Sequence, residues 1–136
     1  MATITRPQLD QKARRLLEEP NFAFLATLME DGWPHVSPVW VDVEGDDVVF
    51  NTAEGRVKAE NVQRDGRVAM SVSPTDNPYA HVDIRGRVVD IVEGEEAQEH
   101  IHELYRKYRG EGNYPLRPGE QRLKVVVEPI AVKLSG

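Results

Sequence analysis

Apolar residues recur along this chain with two different periods. Leu9, Ala13, Leu16 and Leu17 fall at helical spacing behind a Thr5-x-x-Gln8 capping pattern with Pro7 in the first turn, which predicts a short amphipathic helix ending near Pro20. Residues 22–29 are almost wholly apolar and read as a strand; Glu30-Asp31-Gly32 is a turn signal, and the β-branched residues of 35–43 predict a second strand that completes a hairpin. Gly45-Asp46-Asp47 turns the chain into a third strand over 48–52, which feeds a helix carrying Arg56 and Lys58.

Beyond Asp65-Gly66, the alternation of Val68, Met70 and Val72 marks one face of a strand, followed by a polar loop over 74–78. Residues 79–92 form a long β-rich segment with Gly86 in its middle, where a bulge or sharp bend is expected. From Glu95, residues Ala97, Ile101, Leu104, Tyr105 and Tyr108 recur at steps of three and four, predicting a helix that ends at Gly110. A Pro/Gly-rich loop over 110–119 leads to a last strand over 123–134, interrupted only at Glu128-Pro129. About six hairpin-linked strands with three peripheral helices predict a mainly β protein, a small antiparallel barrel, and disfavour a parallel α/β fold. Such a barrel fills its own interior with side chains, so a ligand belongs on its outside or between two copies.

Composition narrows the function. A chain of 136 residues that is 40% apolar suits one domain spanning 1–136. With 17 basic against 23 acidic residues and a net charge of -6, a nucleic-acid partner is not expected, and any basic pocket must be local. The absence of cysteine excludes disulfides, thiolate metal sites and thiol nucleophiles. No signal-like apolar stretch and no run near the ~20 residues of a membrane span is present, so the expectation is a cytoplasmic protein with no membrane partner.

The segment from Asn51 to Asn61 carries the most chemical information. It sets Arg56 and Lys58 at the start of a helix, where free N–H groups and the helix dipole favour phosphate; the competing reading is a solvated basic pair. Trp40 and Tyr79 lie in segments flanked by polar residues and suit either the core or an interface or ring ligand. His100 and His102 stand two apart on a helix and diverge too far to share a metal, so both are read as surface residues and no metal is expected. His81 and Asp83 share a strand face and read as a solvated pair or an oriented imidazole. Ser37, Ser71 and Ser73 lack a nucleophile elbow, and the acid run over 93–99 is a solvated helix start.

Four segments carry a family resemblance. They are Phe24-Leu25-Ala26-Thr27 with Asp31-Gly32-Trp33-Pro34; Val36-Ser37-Pro38-Val39-Trp40; residues 52–62 with Arg64-Asp65; and Asn77-Pro78-Tyr79 leading to Arg85-Gly86. In this order the chain resembles the pyridoxamine 5'-phosphate oxidase-like split β-barrel proteins (the FMN-binding split barrel type), and within them the oxidoreductases that use coenzyme F420, a deazaflavin.

The resemblance implies a cofactor site built residue by residue. Arg56 and Lys58 match the phosphate clamp, aided by Asn51 and Thr52. His35, Ser37, Pro38, Val39 and Trp40 match the strand along the tricyclic ring, and Asn77 with Tyr79 match a wall near the ring and tail. The implied assembly is a homodimer with cofactor sites at the interface, and last-strand residues such as Arg122 are candidates to reach across it. The implied activity is hydride transfer from the reduced deazaflavin to a small conjugated or electron-poor substrate, without a protein nucleophile. An FMN-binding oxidase or reductase of the same fold, and a non-catalytic F420- or tetrapyrrole-binding protein, stay open as alternatives.

Overall fold

Alternation along the first strand sets which face of the sheet is the core. In β1 (Ala23–Leu28) Ala23, Leu25 and Thr27 are buried while Phe24 faces outward. β1 pairs with β2 (Pro34–Val39) on one side and with β5 (Arg67–Val72) on the other, all antiparallel. The remaining strands are β3 (Val41–Glu44), β4 (Asp47–Ala53), β6 (Val82–Val92) and β7 (Arg122–Leu134), giving the order β2-β1-β5-β6-β7-β4-β3. The computed structural model describes residues 9–135.

That order forces the sheet to curl. Laid flat, the outermost of seven strands would stand roughly 29 Å apart at about 4.8 Å per step. Yet β2 and β3 are the two edges, and one residue, Trp40, joins them. The predicted single strand over 35–43 is therefore corrected to two: its first part pairs with β1 and its second with β4, so the chain crosses the barrel seam at Trp40. The result, over the described residues, is a split β-barrel with three helices.

Inside the curl, Leu25, Val41, Phe50, Val72, Ile84 and Val125 are fully buried. Helix α1 (Gln11–Glu18) covers one end with Ala13, Leu16 and Leu17. Its N-cap is Asp10, which accepts from the Ala13 N–H at 2.8 Å; the predicted Thr5 cap and Pro7 lie outside the described residues.

β6 and β7 are the longest pair, and each carries a bulge. Ile130 is the extra residue opposite the Arg85–Gly86 step, and Val89 the extra residue opposite Val127–Val126. A Cβ on Gly86 would meet Val127 Cγ1 at 2.4 Å and the Glu128 carbonyl oxygen at 2.9 Å, so only glycine permits this close approach. Pro129, which has no N–H to donate, stands opposite Gly86 at the same irregularity. The expected bend at Gly86 is thus present, and strand β7 runs through Glu128-Pro129 instead of breaking there.

Helix α2 (Val57–Arg64) follows β4, and helix α3 (Glu95–Arg109) follows β6 and ends at Gly110 with φ +101°. Asn61 pins α2 to β1: its amide donates to Thr27 Oγ1 at 3.0 Å, and its carbonyl accepts from Arg64 at 2.8 Å. No helix among the described residues is long and apolar enough to cross a membrane.

Candidate functional site

Strand register brings three cations to one cleft. Ala53 at the end of β4 stands opposite Arg122 at the start of β7, and the chain then turns through Gly55 at φ +90° into Arg56, the N-cap of α2. Lys58 follows one helical position in. Arg56, Lys58 and Arg122 line a cleft of about 190 Å³ together with Asn51, Trp40 and Tyr114.

The charges in this cleft are unbalanced. Arg122 is buried and paired to Glu120 at 2.8 Å, while Arg56 and Lys58 make no ion pair among the described residues. Burial, with Arg56 and Arg122 beside it, holds Lys58 below the ordinary lysine range. Like charges kept this close raise each other's energy, and an anion placed among them relieves it.

An aromatic wall stands beside the cations. The Trp40 ring stacks on Tyr108 with centroids 5.3 Å apart and meets Tyr105 and Tyr114 edge-on at 6.1 and 6.5 Å. Tyr108 is itself fixed, donating from its hydroxyl to the Asn21 carbonyl at 2.6 Å and accepting from the Val41 N–H at 3.0 Å. The Arg122 guanidinium lies 4.9 Å from the Tyr114 ring centroid.

Of the residues expected at a cofactor site, Pro38, Val39, Trp40, Asn51, Arg56 and Lys58 converge on this cleft. His35 and Ser37 lie on the β2 face opposite Val36, and their buried Nδ1 and Oγ have no hydrogen-bond partner among the described residues. Thr52 does not join them: its side chain is fully buried on the other face of β4 from Asn51. Asn77 and Tyr79 sit in the loop before β6, with Asn77 capping the Tyr79 N–H at 3.1 Å and Tyr79 80% exposed, away from the cleft lining.

Two expectations need correction. Arg122 lies in the cleft of its own chain, because the sheet order sets β7 beside β4. His100 is not a surface residue: it is buried on the same stripe of α3 as Ala97, Ile101 and Leu104, and its spacing from these was the signal. His102 is half-buried and accepts from the Tyr114 N–H at 3.0 Å, which ties the 110–119 loop to α3. His81 Nδ1 and Asp83 Oδ1, 2.8 Å apart, are partly exposed, and Asp83 lines a different groove.

That groove, of about 540 Å³, lies on the outward face of the sheet. Cross-strand register puts Pro38 beside Phe24 and Val36 beside Ala26 on this face. Phe24 and Val36 are 54% and 61% exposed. Since Pro38 lines the cleft and Phe24 the groove, the two adjoin.

The sequence pattern of the pyridoxamine 5'-phosphate oxidase family matches residues 9–133. The chain belongs to this family. Among solved structures, an F420 reductase is 34% identical, with a TM-score of 0.79 over 88% of this chain and 94% of that one. A conserved hypothetical protein of Mycobacterium tuberculosis is 22% identical at a TM-score of 0.71, covering 99% of this chain and 88% of that one. An FMN-binding protein of Syntrophomonas wolfei is 15% identical at a TM-score of 0.68, covering 94% and 86% respectively. These last two likenesses concern the fold alone. No curated protein matches the chain in sequence. Family membership and the reductase relative support an oxidoreductase of this fold with a flavin-type or deazaflavin cofactor.

Proposed function

We propose that this protein is a coenzyme F420-dependent oxidoreductase that passes a hydride from the reduced deazaflavin to a small conjugated or electron-poor substrate. The observation that carries the proposal is the cleft in which Arg56 and Lys58, unpaired among the described residues, meet the buried Arg122 beside the Trp40 ring. Three cations fit a phosphate group, and an aromatic wall next to them fits the flat ring system attached to it. The choice of F420 over FMN rests on the 34% identical F420 reductase. Asn61, in the segment over 52–62 that carries the resemblance, holds α2 on β1.

The cofactor, when bound, supplies the hydride chemistry itself. The protein's part is to bind, orient and exclude water. Arg56, Lys58 and Arg122 would hold the phosphate, and Trp40 and Val39 would bound the ring; the unpartnered His35 Nδ1 and Ser37 Oγ are buried and lie outside the lining of this cleft. Mixing the protein and reduced F420 with a panel of enones, quinones, nitro compounds and biliverdin is expected to oxidise the cofactor with at least one of them. Binding without turnover across the panel would favour a non-catalytic carrier.

The same reading includes a homodimer. A cleft of about 190 Å³ is smaller than the roughly 300–1,000 Å³ of ordinary ligand pockets, so a flavin-sized ligand must extend beyond it. The exposed face with Phe24 and Val36 adjoins the cleft at Pro38, and a second copy covering that face would complete the site. Sedimentation at micromolar concentration is expected to give twice the chain mass, and a monomer would contradict the shared site.

A further inference from the structure

Behind the cation cleft, under α3, runs a chain of buried polar groups. Asn51 lies at its centre, 8% exposed. Its Nδ2 donates to the Ala97 carbonyl at 3.0 Å and stands 3.0 Å from His100 Nδ1; its Oδ1 accepts from Arg122 Nε at 2.8 Å. Both amide hydrogens are thus committed. His100 Nδ1 must accept, which puts the proton of the neutral imidazole on Nε2. Glu120 holds Arg122 from the other side at 2.8 Å, and Lys124 beside His100 is paired to Glu44 and Glu96.

We propose that His100 is a positioning residue for cofactor binding: by accepting from Asn51 it fixes the amide so that its carbonyl oxygen, not its nitrogen, faces Arg122. Arg122 is thereby held in the cleft with Arg56 and Lys58. The alternative orientation of the amide sets a donor against a donor. Without the His100 acceptor nothing on the α3 side opposes that rotation except the Ala97 carbonyl, and the guanidinium would shift toward Glu120. Asn51 is the member of this chain whose amide hydrogens and carbonyl oxygen are all engaged, and that holds it in one orientation. His100 Nε2 has no partner among the described residues, which leaves the Nδ1 contact to Asn51 as the hydrogen bond its side chain makes there. The proposal rests on the cofactor reading of the cleft.

The test compares His100→Leu and His100→Asn, each in the parent and in an Arg122→Gln background, by titration with F420 and with FMN, folding being checked by circular dichroism. His100→Leu is expected to weaken binding about tenfold, the upper end of what one neutral hydrogen bond contributes. His100→Asn, whose Oδ1 stands near the lost Nδ1, is expected to restore it to within a few fold, and His100→Leu is expected to cost nothing further once Arg122 is gone. Undiminished binding by His100→Leu, or an equal loss without Arg122, overturns the positioning role alone. A parent that binds neither cofactor instead overturns the cofactor reading on which it rests. A long-range ¹H–¹⁵N spectrum of the parent gives a check free of ligand and variant: the Nε2–H tautomer of His100 is expected, and the Nδ1–H tautomer overturns the proposal.

Discussion

Replacing Arg56 and Lys58 together by alanine is expected to weaken cofactor binding by about 10²- to 10⁴-fold while leaving the fold intact. Each charge-assisted contact to a phosphate contributes roughly 1.5–3 kcal/mol, so two contribute about 3–6 kcal/mol, and each 1.4 kcal/mol is tenfold. The fold should survive because neither side chain holds it together. Arg56 is an exposed N-cap whose side chain makes no capping bond, and Lys58 is surrounded by like charge. Relieving that repulsion is expected to leave the melting temperature unchanged or raise it, as happens where a binding site is strained for function. The measurement is a pair of titrations with a thermal melt of each protein. Parent-like affinity in the folded double variant would contradict the phosphate clamp.

The second large effect concerns stability and acid. Burial first, then Lys124 and Arg122, push His100 down from 6.5 to about 4. Between those values the unfolded chain binds a proton that the folded chain does not. The His100 contribution is therefore fully present above about pH 6.5 and is lost as pH falls toward about 4. At 1.36 kcal/mol per pH unit, the full loss is about 3 kcal/mol. His100→Asn has no such proton to take up, so urea unfolding of both proteins at pH 7.5, 5.5 and 4.5 should show the parent losing more stability than the variant. Parallel losses would mean that His100 titrates normally in the fold.

Much of the architecture was legible in local sequence because strand alternation and glycine placement are local signals. Val68, Met70 and Val72 alternate into the core as their spacing required, and Gly86 marks a bulge because only a residue without Cβ fits beside Val127. The break at Trp40 was not legible, since β-branched residues on both sides continue the same pattern. It follows from the closure of the curled sheet, a long-range property.

The candidate site divides the same way. Arg56 and Lys58 were found from local spacing at a helix start, although Arg56 proves to be the N-cap and not a first-turn residue. Arg122 joins them through pairing of β4 with β7, which no local window contains. The spacing of His100 from His102 says nothing of burial, whereas its spacing from Ala97, Ile101 and Leu104 places it on the buried stripe of α3. Asn77 and Tyr79 lie off the cleft of a single chain, where a role beside the ring would depend on the proposed second copy.

Titration of the purified, cofactor-free protein with F420 and separately with FMN, followed by tryptophan fluorescence at low and moderate salt, tests the central claim most directly. Trp40 lines the cleft and should report either ligand. Tight, salt-sensitive binding of F420 with weak binding of FMN is the expected result. The reverse preference would contradict the F420 assignment, and binding of neither would contradict the cleft as a cofactor site.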